Sequence, residues 1–322
     1  MRAQVDPDRL RATLEQLPGP RNRQFSPAAM ATADALCLGA FRDAGWTAGL
    51  RPFEARDVPS WAASSGLDRA PAAVLPGVNV VAVKEGAEST DALVVVAHHD
   101  TVPDSAGADD NGSGVVALLE LARLLAPVPL RRTVVLAAVD HEELGFYGSA
   151  QLVADLTGER RVLGALVYEM LGYSSAEPGS QRLPPKIGAI YRGQVRRIAE
   201  RGHKGDFAAV IYGGSARPLA ACFAECLTGL AGPEAAILLR APADLPVIGP
   251  LLARKIPFVR DFARSDHVPF WAAGLPAVQI TDTANFRNPH YHQAGDTPAT
   301  LDYGRIADIT AATAVAIERL AA

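Results

Sequence analysis

Residues 92–114 read ALVVVAHHDTVPDSAGADDNGSG. An apolar run of strand length ends in two imidazoles and a carboxylate. A loop containing Gly107 then leads to two adjacent carboxylates, just before a second apolar segment, GVVALLELARLLA at 114–126. The first run is continuous rather than alternating, as in a strand buried on both faces. The second has the length of a helix. Ending a buried strand with this many donors and acceptors raises the question of what they bind.

The same kind of run recurs at 78–85 (VNVVAVKE), 132–140 (RTVVLAAVD), 162–170 (VLGALVYEM), 206–213 (DFAAVIYG), 234–242 (EAAILLRAP) and 276–283 (PAVQITDT). Helices are expected at 114–126, around 216–231 and at 303–322, and between Ser26–Pro27, a good helix start, and Gly45, a good stop. Strands alternating with helices predict an α/β fold: a three-layer α/β/α arrangement around a mixed, mainly parallel central sheet. Residues 174–206, rich in Gly, Pro and Arg, fit no element and are either a functional loop or an excursion over one face of the sheet. No internal repeat or low-complexity tract interrupts the chain, and a single catalytic domain over 1–322 accounts for it.

With 322 residues and 49% hydrophobic side chains the chain buries a sizeable core, which excludes disorder and fibres. The net charge of −4 is spread along the sequence, and no basic cluster is interleaved with aromatics, so a nucleic-acid partner is not expected. The first 24 residues lack the apolar core of a signal peptide and no apolar run reaches membrane-spanning length, so the expected location is the cytoplasm. Cys37, Cys222 and Cys226 read as reduced thiols rather than a disulfide framework.

Strand geometry sorts the donors. Residues i and i+2 share a face, so His98 and Asp100 lie together and His99 points away. A metal-bound imidazole usually hands its other N–H to an orienting partner, a role for which Asp100 has the spacing. Asp109 and Asp110 follow, with Asp109 the candidate to bridge two cations. Glycines at 107, 112 and 114 give the loop its tight path. The run 132–140 leads into HEELGFYGS, and parallel strands end on one edge, which brings Glu142 and Glu143 beside His98. Adjacent residues point differently, so one of this pair would bind metal while the other meets the substrate water. The run 162–170 delivers Glu169 to the same edge, and the loop after 276–283 brings His290 and His292.

Each element also has a bland reading. A lone histidine at a strand end is commonly a hydrogen-bonded rim residue, and paired glutamates after a strand commonly stabilise a helix N-terminus by several tenths to about 1 kcal/mol. The joint occurrence at carboxyl ends of strands, where open α/β sheets bind ligands, shifts the balance. Oxygen and imidazole donors without thiolate suit Zn2+, with Co2+ or Mn2+ as alternatives. Paired metals ~3.5–4 Å apart clamp the two oxygens of a hydrolytic displacement.

Taken in order, AHHDTV, GADDNGSG, DHEELGFYGS, EMLGY and NPHYHQAGDT resemble the M28 family of co-catalytic zinc peptidases, from about residue 78 to the C-terminus. The resemblance implies a zinc-exopeptidase-like fold, two zinc ions per chain and a peptide substrate, most often cleaved at its N-terminus. It implies that His98, Asp109 and Glu169 hold one metal, that Glu143 and His292 complete the other with Asp109 bridging, and that Glu142 is the general base. It also implies a cis peptide bond at Asp109–Asp110. Glu169 stands where several members have Asp. The M20 carboxypeptidase and amidohydrolase group, the single-zinc glutaminyl cyclases and non-catalytic domains of the same fold are the alternatives. Only about 120 residues separate Glu169 from His292, tight for the M20 lid, and the intact DDNGSG speaks against the cyclases. Asp266 and His267 are candidates either for contacts near the site or for a helix N-cap. Tyr173, Arg264 and Arg287 are candidate pocket residues, whereas His203 and His290 read as structural or surface groups.

Overall fold

The structure, a computed structural model, describes residues 4–58, 72–242 and 255–322. Its centre is an eight-stranded sheet formed by β1 (Thr47–Val58), β2 (Ala72–Lys84), β3 (Ser89–His98), β4 (Arg132–Val139), β5 (Val162–Glu169), β6 (Ala208–Tyr212), β7 (Ala236–Arg240) and β8 (Ala277–Thr281). The spatial order is β1-β2-β4-β3-β5-β8-β6-β7. The four central strands β4, β3, β5 and β8 are mutually parallel. Their carboxyl ends therefore share one edge, as the apolar runs predict. The flanks make the sheet mixed: β1 and β2 pair antiparallel, β2 runs antiparallel to β4, and β6 runs antiparallel to β8.

Along β3 the burial alternates between two cores. Leu93, Val95 and Ala97 face one layer, made by α1 (Pro7–Leu14), α2 (Pro27–Asp43), α3 (Gly114–Leu125), α6 (Arg217–Ala231) and α9 (Tyr303–Ala321). Val94 and Val96 face the other, made by α4 (Tyr147–Glu159) and α8 (His267–Ala272) through Leu152, Leu156 and Phe270. Each buried Val, Leu or Phe among them contributes about 1.5–3 kcal/mol by leaving water, which is why these strands read as unbroken apolar runs.

Among the described residues, the second layer has no long helix over β6 and β7. There Ala209, Ile211, Ile237 and Leu239 meet Ile187, Tyr191, Ile198, Phe207 and Phe262. These residues come from segment 181–207, which includes α5 (Arg192–Glu200), and from the neighbourhood of α7 (Pro257–Arg260). The irregular stretch 174–206 is thus a roof over one face of the sheet, and it carries a helix the sequence reading omitted. Strand β1 was also omitted. Its residues alternate between covered and exposed and include Pro52, the pattern of an edge strand. The three cysteines are free, with Cys37 and Cys226 buried. Among the described residues, no helix is long and apolar enough to cross a membrane.

Candidate metal centre

The shared strand edge gathers two acidic–imidazole triads that have one residue in common, beside a third group of Asp100, Asp140 and His141 in which Asp140 is paired with Arg23. His98, the last residue of β3, meets Asp110 from the loop before α3 and Glu169 from the end of β5. His98 Nε2 lies 3.3 Å from Asp110 Oδ1, 3.5 Å from Glu169 Oε2 and 3.9 Å from Glu142 Oε2. The second triad is Asp110, Glu143 and His292. His292 Nε2 stands 3.2 Å from Asp110 Oδ2 and 3.3 Å from Glu143 Oε2. Asp110 thus gives one oxygen to each triad, and Glu142 stands beside them without belonging to either.

The position shared by the two triads falls to Asp110 and not to Asp109, the residue expected there. Asp109 is fully buried, and its two carboxylate oxygens accept hydrogen bonds from Gly172 N–H and Asn288 Nδ2, each at 2.8 Å. Both oxygens face neutral donors from neighbouring loops, so Asp109 ties those loops together. The reason is local backbone conformation. Asp110 (φ/ψ −100°/89°) and Asn111 (−124°/37°) leave helical conformation inside this segment, which turns the Asp110 side chain to the strand edge. The cis peptide bond likewise lies one residue later, at Asp110–Asn111. Gly107 at the start of this loop has φ +61°, and a Cβ there would sit 2.2 Å from Thr101 Cγ2, so only glycine follows this path.

Asp100 has the expected place, by a different route. His98 Nδ1 faces the Asp100 main-chain carbonyl at 3.2 Å and its carboxylate at 3.5 Å. The carboxylate oxygens accept the Glu142 and Glu143 N–H groups at 3.1 and 3.3 Å, fixing the turn that presents both glutamates. His99 points away, to Asp34 Oδ1 and the Val139 carbonyl. Under the same turn Arg23 pairs with Asp140 and Asp34.

Three positioning residues escaped the sequence reading. Asp296 accepts the N–H groups of Asp109 and Asp110 at 2.8 and 3.1 Å, holding the loop in register. Ser265 Oγ donates to Glu169 Oε2 at 2.6 Å, and Asn111 donates to the Tyr168 carbonyl. Asp296 lies within the quoted motif NPHYHQAGDT and Asn111 within GADDNGSG, the signals that were available. Asp266 occupies the N-cap position of α8, as one of its two readings expected, but makes no side-chain capping bond; its carboxylate accepts from Ser149 Oγ at 2.5 Å. His267 is buried against Trp271 with Nε2 on the Phe262 carbonyl, a structural role. Arg287 is buried, bound to Gln181 and stacked on Phe207. Arg264 is engaged by Asn285 and Tyr291, and Tyr291 stacks on His292. His290 packs edge-on against Tyr173.

The electrostatics fit a cation. Burial raises the Glu142 carboxyl well above the usual range, with Glu169, Glu143 and Asp266 adding to the effect and His98 opposing it. Burial and the charge of Asp110 push Glu143 up to about 7. For His98, burial works downward but is outweighed by Glu142 and Glu169, then Asp100 and Asp110, which raise it well above its ordinary value. His98 Nε2 and Glu143 Oε1 are buried without a hydrogen-bond partner. Buried polar atoms are rarely left so, and carboxylates this crowded are costly without a compensating positive charge. Imidazole with hard oxygen donors is the ligand chemistry of Zn2+. The residues present therefore fit the metal.

Beside the metal edge opens a cavity of about 100 Å³. Glu169, a member of the first triad, lines it together with Arg264 and Tyr291. Its walls are the β6–β8 face of the sheet and the roof above it.

The family model for peptidase family M28 matches residues 79–204 and 249–317. The uncharacterized protein YfbL of Escherichia coli (strain K12) is 35% identical over 248 residues, covering 73% of this chain and 68% of that protein. A probable zinc metalloprotease of Leptosphaeria maculans is 31% identical over 246 residues, 70% of this chain and 51% of that protein. The chain thus spans about half the length of that fungal relative. In three dimensions it is similar to the aminopeptidase of Aneurinibacillus sp. strain AM-1, with TM-score 0.69, 15% identity and coverage of 98% and 94%. It is also similar to the glutaminyl cyclase of Fimbriiglobus ruber, with TM-score 0.64, 18% identity and coverage of 98% and 95%. At these identities the structural likeness speaks for the fold alone. The family match spans more than half of the sequence and includes all five motifs read from it, and on that ground the chain belongs to peptidase family M28.

Proposed function

We propose that the chain is a zinc-dependent aminopeptidase, acting as a single catalytic unit that removes N-terminal residues from short peptides. The observation that carries this reading is the pair of triads sharing Asp110 at the mouth of a cavity with room for one side chain. His98, Asp110 and Glu169 would hold one zinc, and Asp110, Glu143 and His292 a second. When bound, zinc supplies Lewis-acid polarisation of the scissile carbonyl and lowers the pKa of a water to about 7. Glu142 takes a proton from that water on its carboxylate and returns one to the departing amine. Its burial raises its proton affinity toward what such a shuttle needs at neutral pH. Glu169 and Glu142 give the mouth the negative field that holds a free α-ammonium. A carboxypeptidase needs a free cationic clamp, but Arg264 is occupied by Asn285 and Tyr291 and Arg287 by Gln181. The cyclase alternative keeps one metal, whereas donors for two are present here.

Three peptides test this proposal: one with a free N-terminus, its N-acetylated form, and one starting with Gln. Protein with two zinc ions per chain by elemental analysis should release the N-terminal residue of the first and leave the acetylated form intact. Chelation should abolish this and zinc or cobalt restore it. Release from the C-terminus of the acetylated peptide would support a carboxypeptidase. Ring closure of Gln with loss of ammonia would support a cyclase, and inactivity of metal-loaded protein on a broad panel would support a binding domain.

A further inference from the structure

The cavity beside the metal edge is apolar except for groups already engaged. Gln181 accepts from Arg287 and donates to Thr283, Tyr191 donates to the Arg240 carbonyl, and Gln194 donates to the Leu238 carbonyl. Thr281 accepts from Thr283 N–H. Gln279 differs. It is 5% exposed, lines the cavity, and its Oε1 has no hydrogen-bond partner.

Register fixes where this oxygen sits. On β8, Thr281 pairs with Glu169 and Gln279 with Val167 of β5, so Gln279 lies two residues deeper on the face that Thr281 shares. That is roughly 7 Å further from the metal edge. Across β6 it pairs with Ile211, and Ile211, Leu239, Tyr191 and Phe262 supply apolar walls. A side chain entering at Glu169 therefore meets an apolar shaft and then one buried acceptor. The volume of about 100 Å³ is near the scale of the ~150 Å³ apolar cavity that holds benzene.

Resting on the aminopeptidase reading, we propose that Gln279 is a specificity residue selecting an N-terminal side chain with an apolar ring and a hydrogen-bond donor at its far end, the chemistry of tyrosine. The phenol O–H donates to Gln279 Oε1. Phenylalanine fills the same shaft but leaves the amide oxygen unpaired and dry, and a buried unpaired acceptor is what a site built for a hydroxyl discriminates against. Lysine brings a donor too, at the cost of burying an ammonium in an apolar shaft near Arg264.

The test compares Tyr-, Phe- and Leu-peptides of one sequence with zinc-loaded wild type and Gln279→Leu, together with calorimetric binding of free tyrosine and phenylalanine. The wild type should prefer Tyr over Phe in kcat/KM by roughly tenfold. Gln279→Leu should bring that ratio to about one or below, raise Phe turnover and keep metal content unchanged, with the binding ratio moving in parallel. If N-terminal residues are released with no Tyr preference in the wild type, the Gln279 proposal fails and the aminopeptidase reading stands. A preference that survives Gln279→Leu in soluble, metal-replete protein also overturns it. If no free-amine peptide is cleaved, both readings fall together.

Discussion

Glu142→Gln lowers turnover of a free-amine peptide by roughly 10²–10⁴, the usual worth of a positioned acid–base group, while the protein keeps its full complement of zinc. The amide preserves the shape of the side chain but cannot take a proton. Glu142 Oε2 lies 3.9 Å from His98 Nε2, outside both triads, so metal retention does not depend on it. Glu143→Gln is the contrast. Its Oε2 is 3.3 Å from His292 Nε2 within the second triad, and the variant should lose metal by elemental analysis. Metal loss in the first variant and slow but metal-replete second would exchange the two roles.

Asp110→Asn should be more damaging still, because it removes charge from both triads at once. Zinc affinity should fall by more than the roughly 10–100-fold typical of residues that only orient ligands. Activity should be lost across the accessible zinc range. Asp109→Asn should behave as an orienting change. The new Nδ2 faces either the Gly172 N–H or the Asn288 amide, and leaving a buried donor unmatched costs about 1–3 kcal/mol, readable as a lower urea midpoint. Its metal loss should stay within that 10–100-fold range. A metal-free Asp109→Asn beside a metal-replete Asp110→Asn would return the bridge to Asp109.

That pair marks the boundary of what the residues alone disclosed. The central strands were legible because burial on both faces demands continuous apolar runs, and parallel pairing then placed the ends of β3, β4 and β5 on one edge. His98, Glu142, Glu143 and Glu169 follow from that edge. Which of two adjacent aspartates turns to it depends on the dihedral angles of Asp110, and composition carries no trace of those. Asp296 and Ser265 act on partners far along the chain, 187 and 96 residues away, so local sequence does not disclose those contacts even where, as for Asp296, the residue falls inside a recognised motif. β1 lacked a signal because an edge strand needs only one covered face. Gln279 did leave a mark: a glutamine inside the buried run PAVQITDT, passed over because the run reads so clearly as a strand.

The roof over β6 and β7 enters the fold after β5 and leaves it at β6, whereas the residues of the two triads sit on strand ends and on loops elsewhere. The cavity takes its walls from two sources, this roof and the β6–β8 face that carries Gln279, and it meets the triads at Glu169. Segment 181–207 supplies only the roof half of those walls. Grafting a roof of another length or lining is expected to reshape the cavity while leaving the two triads in place, a division along which both natural divergence and redesign can proceed.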